Sequence, residues 1–162
     1  MEAARAAPYV AVVGPSEAGE RQRALARRVG ELLADRGAVV LCGGLGGVME
    51  AVCEGAAGRG GTTVGLLPGE DRARGNPYLT VGLTTGLGEL RNGLLVRSCD
   101  AVLAVGGSWG TLSEVALAVR TGRPVVLLDG WPLPDAPTAG PLLTAATPDQ
   151  AVDLALDAAR RR

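Results

Sequence analysis

Residues 101–111 have the sequence AVLAVGGSWGT, in which an uncharged aliphatic run ends in paired glycines and leads into a helix-forming segment. A short aliphatic run without polar alternation is typical of a parallel strand that is covered on both faces. The glycines after it predict a tight turn between strand and helix. We therefore predict a strand over 101–105 and a helix over about 111–121.

The rest of the chain repeats this pattern of short aliphatic runs and segments of helical period. Because strands and helices alternate, the sequence predicts one domain over 1–162 with a doubly wound, Rossmann-like α/β fold, a parallel sheet with helices on both faces. Its core covers about 9–129, a proline-rich connection over 130–147 is expected to be an ordered surface loop, and a C-terminal helix covers about 148–160. The other predicted strands are 9–13, 38–42, 62–67, 124–128 and a weaker one at 79–82, and the other predicted helices are about 17–36, one from about 46, and 87–98.

The composition excludes several classes of site. The 162 residues include no His, which excludes a Ser-His-Asp triad, a Cys-His pair and a His-ligated zinc site. A net charge of −1, with two Trp, two Tyr and no Phe, argues against nucleic-acid binding. No apolar run predicts a membrane span or a signal peptide, so we predict a cytoplasmic protein. Cys42, Cys53 and Cys99 have apolar neighbours and are expected to be buried thiols.

Three glycine-rich turns, at 14–16, 43–47 and 106–111, each connect a predicted strand to a predicted helix. The carboxyl ends of parallel strands meet at one edge of the sheet, and helix N-termini there attract anions, so the turns predict a phosphate pocket. The alternative is that the glycines only make tight turns. The chain has no Lys and no P-loop motif, and Gly44-x-Gly46-x-x-Met49 does not complete a dinucleotide fingerprint. The candidate ligand-binding residues are Gly14, Ser16, Gly43, Gly44, Gly46, Gly47, Gly106, Gly107, Ser108, Trp109, Gly110 and Thr111.

Three charged residues are placed where they could act on a bound anion. Glu114 follows the third glycine turn by about one helical turn, so its carboxylate is a candidate catalytic group, although acids also stabilise helix N-termini. Arg91 lies near the start of a predicted helix, where a cation opposes the helix dipole and is expected to have another partner. Arg97, two turns later, is a candidate second anion contact or a solvated side chain.

The segment 106–114, GGSWGTLSE, resembles the PGGxGTxxE motif of the LOG family of nucleoside 5′-monophosphate phosphoribohydrolases, once called lysine decarboxylases. The segment 42–50 is similar to that family's GGGxxGLM turn, and Arg91 matches the arginine of its helix motif. Val105 stands in place of the motif proline, and Asn92 in place of a typical lysine. Residues 48–51 are closer to a sister branch that includes the molybdenum-cofactor carrier proteins.

The resemblance implies hydrolysis of the N-glycosidic bond of a nucleoside 5′-monophosphate, with release of the free base and ribose 5-phosphate. The amides of 107–111 would bind the phosphate, Glu114 would contact the ribose hydroxyls or the attacking water, and Arg91 would bond to the base or the phosphate. No cofactor and no metal are predicted. The alternative is a carrier in which the same pocket holds another phosphorylated small molecule, such as a pterin-type molybdenum cofactor, without turnover.

Two further expectations concern surfaces. Helices 87–98 and 111–121 carry apolar residues on more than one side, which favours a homodimer or higher homo-oligomer over a well-covered monomer. The polar segment 68–78 follows a predicted strand, so it is either a loop that closes over the ligand and sets specificity or an ordinary solvated excursion.

Overall fold

The computed structural model describes residues 6–162, which form one parallel sheet of seven strands in the order β4-β3-β2-β1-β5-β6-β7. The strands are β1 Tyr9–Val13, β2 Val39–Cys42, β3 Thr63–Leu67, β4 Val81–Thr84, β5 Ala101–Val105, β6 Val125–Leu128 and β7 Leu142–Ala145. The helices are α1 Glu20–Asp35, α2 Val48–Gly58, α3 Arg91–Ser98, α4 Trp109–Arg120 and α5 Pro148–Arg160, with short 3-10 turns at Arg72–Arg74 and Gly88–Leu90.

The order of the strands places a crevice beside β1. The chain moves outward from β1 through β2, β3 and β4, and then returns to the other side of β1 to add β5, β6 and β7. Ligands of doubly wound sheets bind at this reversal, outside the carboxyl ends of the strands. The turns after β1, β2 and β5 all lie at that edge.

Two apolar layers cover the sheet, as the aliphatic strands require. Helices α1, α2 and α5 pack on one face, with Val29, Val52 and Val152 fully buried. Helices α3 and α4 pack on the other face through Leu95 and Val115. The predicted Rossmann-like fold is therefore confirmed, and within residues 6–162 no helix is long and apolar enough to cross a membrane.

The structure corrects several element boundaries. Strand β4 begins two residues later than the predicted strand at 79–82, and α4 begins at Trp109 because Ser108 caps the helix. The expected loop at 130–147 contains the edge strand β7. This strand has only four residues and follows Gly140-Pro141, so its aliphatic run is too short to stand out in a proline-rich segment.

The three cysteines are free, buried thiols, as expected. Cys42 and Cys53 lie side by side, with their Sγ atoms 3.5 Å apart, and the Gly44 N–H points at the Cys42 Sγ at 3.3 Å. The hydrogen-bonding contact with Cys53, together with burial, raises the pKa of the Cys42 thiol, so it remains protonated. The pair thus fixes the end of β2 against α2.

Candidate functional site

A cavity of about 350 Å³ opens at the carboxyl ends of β1, β2 and β5, and we call it the main cavity. All three glycine-rich turns contribute to its wall, so they converge on one space as the sequence analysis expects. The residues named there that line it are Gly14, Ser16, Gly43, Arg91, Ser108, Gly110, Thr111 and Glu114.

The start of α4 forms one end of the main cavity. Ser108 is the N-cap residue, and its Oγ accepts the Thr111 N–H at 3.1 Å and lies 2.9 Å from the Thr111 hydroxyl. The first amides of a helix have no partner within the helix, and because Ser108 already accepts the Thr111 N–H, those of Trp109 and Gly110 are the ones that can bind an anion. The Thr111 hydroxyl is thus oriented by Ser108, beside the cavity.

The turns after β1 and β2 are joined by close backbone contacts. The Val48 N–H donates to the Pro15 carbonyl oxygen at 3.0 Å. A Cβ on Gly47, which has φ of +65°, would lie 2.3 Å from the same oxygen. Gly47 is therefore required by the packing of the two turns. Gly44 and Gly46 belong to the same turn but do not line the main cavity.

Arg91, at the first position of α3, has the partners that the sequence analysis expects it to need. Its Nε–H donates to the Leu66 carbonyl oxygen at 2.8 Å, and Nη2 donates to the Gly43 carbonyl oxygen at 3.3 Å. A third hydrogen bond goes to the Asn92 side chain. Arg91 is only 8% exposed, and its guanidinium brings a fixed positive charge to the wall of the cavity.

Glu114 lines the same cavity and is also 8% exposed. Burial raises the pKa of its carboxyl group to about 7, although the nearby Arg91 charge lowers it. Within residues 6–162, no hydrogen bond from the protein reaches the carboxylate. Glu114 can therefore exchange a proton near neutral pH, and its oxygens are available to a ligand or water.

Besides Gly44, Gly46 and Gly47 of the second turn, four of the named residues lie outside the main cavity. Gly106 and Gly107 line a small neighbouring cleft, where the Trp131 ring lies against Gly107 so closely that a Cβ would approach it to 2.6 Å. Trp109 is 78% exposed and packs edge-on against Trp131, with the ring centroids 5.1 Å apart. Arg97 is exposed in the last turn of α3, because the helix runs away from the cavity after Arg91.

The cavity is also lined by side chains that were not among the candidate site residues. Asn92 and Glu89 flank Arg91, while Leu45, Met49 and Pro68 supply apolar wall. The signals in the sequence were the positions of Asn92 and Glu89 close to Arg91, of Leu45 and Met49 in and just after the second glycine-rich turn, and of Pro68 at the start of the 68–78 segment. Two of these residues, Leu45 and Pro68, connect the main cavity to a second groove, described below.

Proteins of similar structure bind the molybdenum cofactor. The molybdenum cofactor binding protein of Rippkaea orientalis is 33% identical, with a TM-score of 0.87 over 95% of this chain and 98% of that one. The molybdenum cofactor carrier protein of Chlamydomonas reinhardtii is 32% identical, with a TM-score of 0.83 over 97% of this chain and 100% of that one. An uncharacterized protein of Archaeoglobus fulgidus is 42% identical over 119 residues, 74% of this chain and 78% of that protein.

These neighbours confirm the resemblance to the LOG proteins and to the sister branch that includes the carriers. The family model of the SLOG cluster4 family matches nearly the whole chain, from residue 7 to residue 155. It includes every residue that lines the main cavity. The chain therefore belongs to the SLOG cluster4 family.

Proposed function

We propose that this protein is a carrier that binds a phosphorylated pterin of the molybdenum-cofactor type in the main cavity. The observation that carries the proposal is the start of α4, where Ser108, Gly110 and Thr111 face the same space as Gly14 and Gly43. Amides at a helix N-terminus bind phosphate through hydrogen bonds and the helix dipole. The likeness to two molybdenum-cofactor proteins over almost their full length supports the pterin as cargo.

The proposal can be tested with molybdenum cofactor released anaerobically from a molybdoenzyme. After incubation, the protein is separated by gel filtration, and its molybdenum is measured by mass spectrometry. We expect close to one molybdenum per chain in the wild type and a marked loss in Thr111→Val, which removes the hydroxyl beside the phosphate site but preserves shape. Thr144→Val is the control, since Thr144 is exposed on the edge strand β7. Equal loading of both variants would contradict the phosphate site, and no loading of the wild type would contradict the cargo.

A second function, hydrolysis of a nucleoside 5′-monophosphate, is favoured by Glu114. A carboxyl group with a pKa of about 7 can accept a proton from water at neutral pH. In this reaction water bonds to C1′ of the ribose and gives its proton to Glu114. The C1′–N bond breaks, its electron pair goes to the base, the base takes up a proton from solvent, and Glu114 then returns its proton to water. Arg91, held by two carbonyl oxygens, supplies a fixed positive charge rather than a proton.

Release of free base distinguishes hydrolysis from a carrier function. The protein is incubated with AMP, and free adenine is measured by chromatography. Hydrolysis predicts adenine from the wild type and a loss of about 100-fold or more in Glu114→Gln, as for removal of one preorganised electrostatic group. A pure carrier gives no adenine over a long incubation. Release that persists in Glu114→Gln would remove Glu114 from the reaction.

We also propose that the protein self-associates through the exposed face at the start of α3. Leu87, Leu90 and Leu94 are all exposed there, and Leu90 is 78% exposed. Leucines one helical turn apart form a continuous apolar strip, which is typical of an interface rather than of a solvated helix. The same strip borders the main cavity, because Gly88, Glu89 and Arg91 line it.

A further inference from the structure

A second concave surface lies next to the main cavity, and we call it the outer groove. It has a volume of about 570 Å³ and is lined by Leu45, Leu67, Pro68, Gly69, Glu70, Asp71 and Arg74. Leu45 and Pro68 border both spaces, so a single ligand can extend from one into the other. The groove is thus a continuation of the phosphate site with apolar walls.

The loop over 68–76 that forms this groove is held in place by hydrogen bonds. Asn76 anchors it to the second glycine turn: its backbone N–H donates to the Gly44 carbonyl oxygen at 2.9 Å, and its Nδ2 donates to the Leu45 carbonyl oxygen at 3.1 Å. On the other side, the Gly88 N–H donates to the Pro68 carbonyl oxygen at 2.9 Å. The loop is therefore a fixed wall, which favours a role in specificity.

Two charged side chains at the rim of the groove, the acceptor Glu70 and the donor Arg74, are not engaged in ion pairs within residues 6–162. Both are exposed. A third rim residue, Asp71, already has a hydrogen-bond partner, because its Oδ1 accepts the Ala73 N–H at 2.9 Å. An apolar slot with a carboxylate and a guanidinium on its rim suits a flat heteroaromatic ring that has both donors and an acceptor on one edge.

A 2-amino-4-oxopyrimidine ring has such an edge, with an amino group and a ring N–H as adjacent donors and a carbonyl oxygen beside them. Pterins and guanine share it, whereas adenine presents a ring nitrogen acceptor and one amino group. We propose that the outer groove binds the 2-amino-4-oxopyrimidine ring of the pterin, with Glu70 accepting its two N–H donors and Arg74 donating to its carbonyl oxygen. Leu45, Leu67 and Pro68 contact the faces of the ring.

This inference rests on the proposed function for the phosphate end of the ligand, so its test uses ring compounds without a phosphate. Neopterin is titrated by its own fluorescence, and guanosine and adenosine are then used as competitors. We expect neopterin to bind the wild type, and guanosine to compete at least about tenfold better than adenosine. Loss of one hydrogen bond to a charged group costs about tenfold in affinity. Glu70→Gln is therefore expected to weaken neopterin binding about tenfold and to remove the preference for guanosine.

Asp135→Asn is the matched control, because Asp135 is an exposed carboxylate in the connection after β6, towards the opposite edge of the sheet. The inference is overturned if neopterin does not bind, if adenosine competes as well as guanosine, or if Glu70→Gln binds neopterin like Asp135→Asn. Ribose 5-phosphate is the second probe, since it carries a phosphate and no ring. If the wild type binds neopterin but not ribose 5-phosphate, the proposed phosphate site is contradicted. If it binds ribose 5-phosphate but not neopterin, the ring site is contradicted.

Discussion

The side chain of Arg91 donates from Nε to the carbonyl oxygen of Leu66 at 2.8 Å, which ties the start of α3 to the end of β3. The same guanidinium reaches Gly43 after β2. Arg91 thus holds two strand ends together while it presents its charge to the main cavity.

Substitution of Arg91 is expected to destabilise the fold as well as the site. Arg91→Ala leaves two buried carbonyl oxygens without their donors, at a cost of about 1–3 kcal/mol each. Arg91→Lys is expected to recover only part of this, because an ammonium group cannot reproduce the planar fork of donors. Urea unfolding measures the loss. Arg97→Ala is the control, since its side chain is exposed, and an equal loss there would contradict the bridging role of Arg91.

The pKa of Glu114 predicts how stability varies with pH. The pKa of this carboxyl group is 4.5 in the unfolded chain and about 7 in the folded protein. Between these pH values the native state binds a proton that the unfolded state has lost. The free energy of unfolding therefore falls as the pH rises through this range. A shift of this size corresponds to at most about 3 kcal/mol. Glu114→Gln removes the effect. The free energy of unfolding of Glu114→Gln minus that of the wild type is expected to increase from pH 4.5 to pH 8. A difference that does not change with pH would contradict burial as the cause of the raised pKa.

Ligand binding is expected to depend on the same proton. A phosphate in the main cavity favours the neutral form of Glu114, because two negative charges would repel each other. The affinity of the wild type for ribose 5-phosphate is therefore expected to fall relative to Glu114→Gln as the pH rises from 6 to 8, by up to about tenfold per pH unit. Calorimetric titration of both proteins isolates Glu114, because the titration of the phosphate itself is common to them. Parallel profiles would place the phosphate away from Glu114.

Ser108 is expected to matter through the cap of α4. Ser108→Ala removes the acceptor of the Thr111 N–H and is expected to cost about 1 kcal/mol in thermal or urea unfolding. It also frees the Thr111 hydroxyl to rotate, so the affinity for ribose 5-phosphate is expected to fall. The control is Ser98→Ala, which removes a hydroxyl that bonds to the Leu94 carbonyl oxygen on an exposed helix end. Similar losses in both variants would show that the cap has no special role.

Self-association is tested at Leu90. Leu90→Glu adds a charge to the centre of the exposed leucine strip and is expected to convert an oligomer into a monomer in sedimentation velocity. The matched change is Leu83→Glu, at an exposed leucine on the edge strand β4. A wild-type monomer, or an oligomer that both variants retain, would contradict an interface at α3.

The layers of the fold and the position of the candidate site at one edge of the sheet follow from the amino-acid pattern alone. Its aliphatic runs identify buried parallel strands, and parallel topology brings every carboxyl end to one edge, so the convergence of the turns at Gly14, Gly43 and Gly110 follows from local pattern. The same reasoning places Glu114 in the first turns of α4. The need of Arg91 for a partner followed from the helix dipole alone.

The groups that these residues contact could not be predicted from local pattern and became clear from the packing of the chain. The carbonyl oxygens of Gly43 and Leu66 are 48 and 25 residues from Arg91 in the chain, and no sequence period connects them. The exclusion of Arg97 from the cavity depends on the direction in which α3 runs, and the outer groove depends on how Asn76 attaches its loop to Leu45. Such contacts join segments that are distant in sequence, so their geometry is set by the packing of the whole sheet and not by local composition.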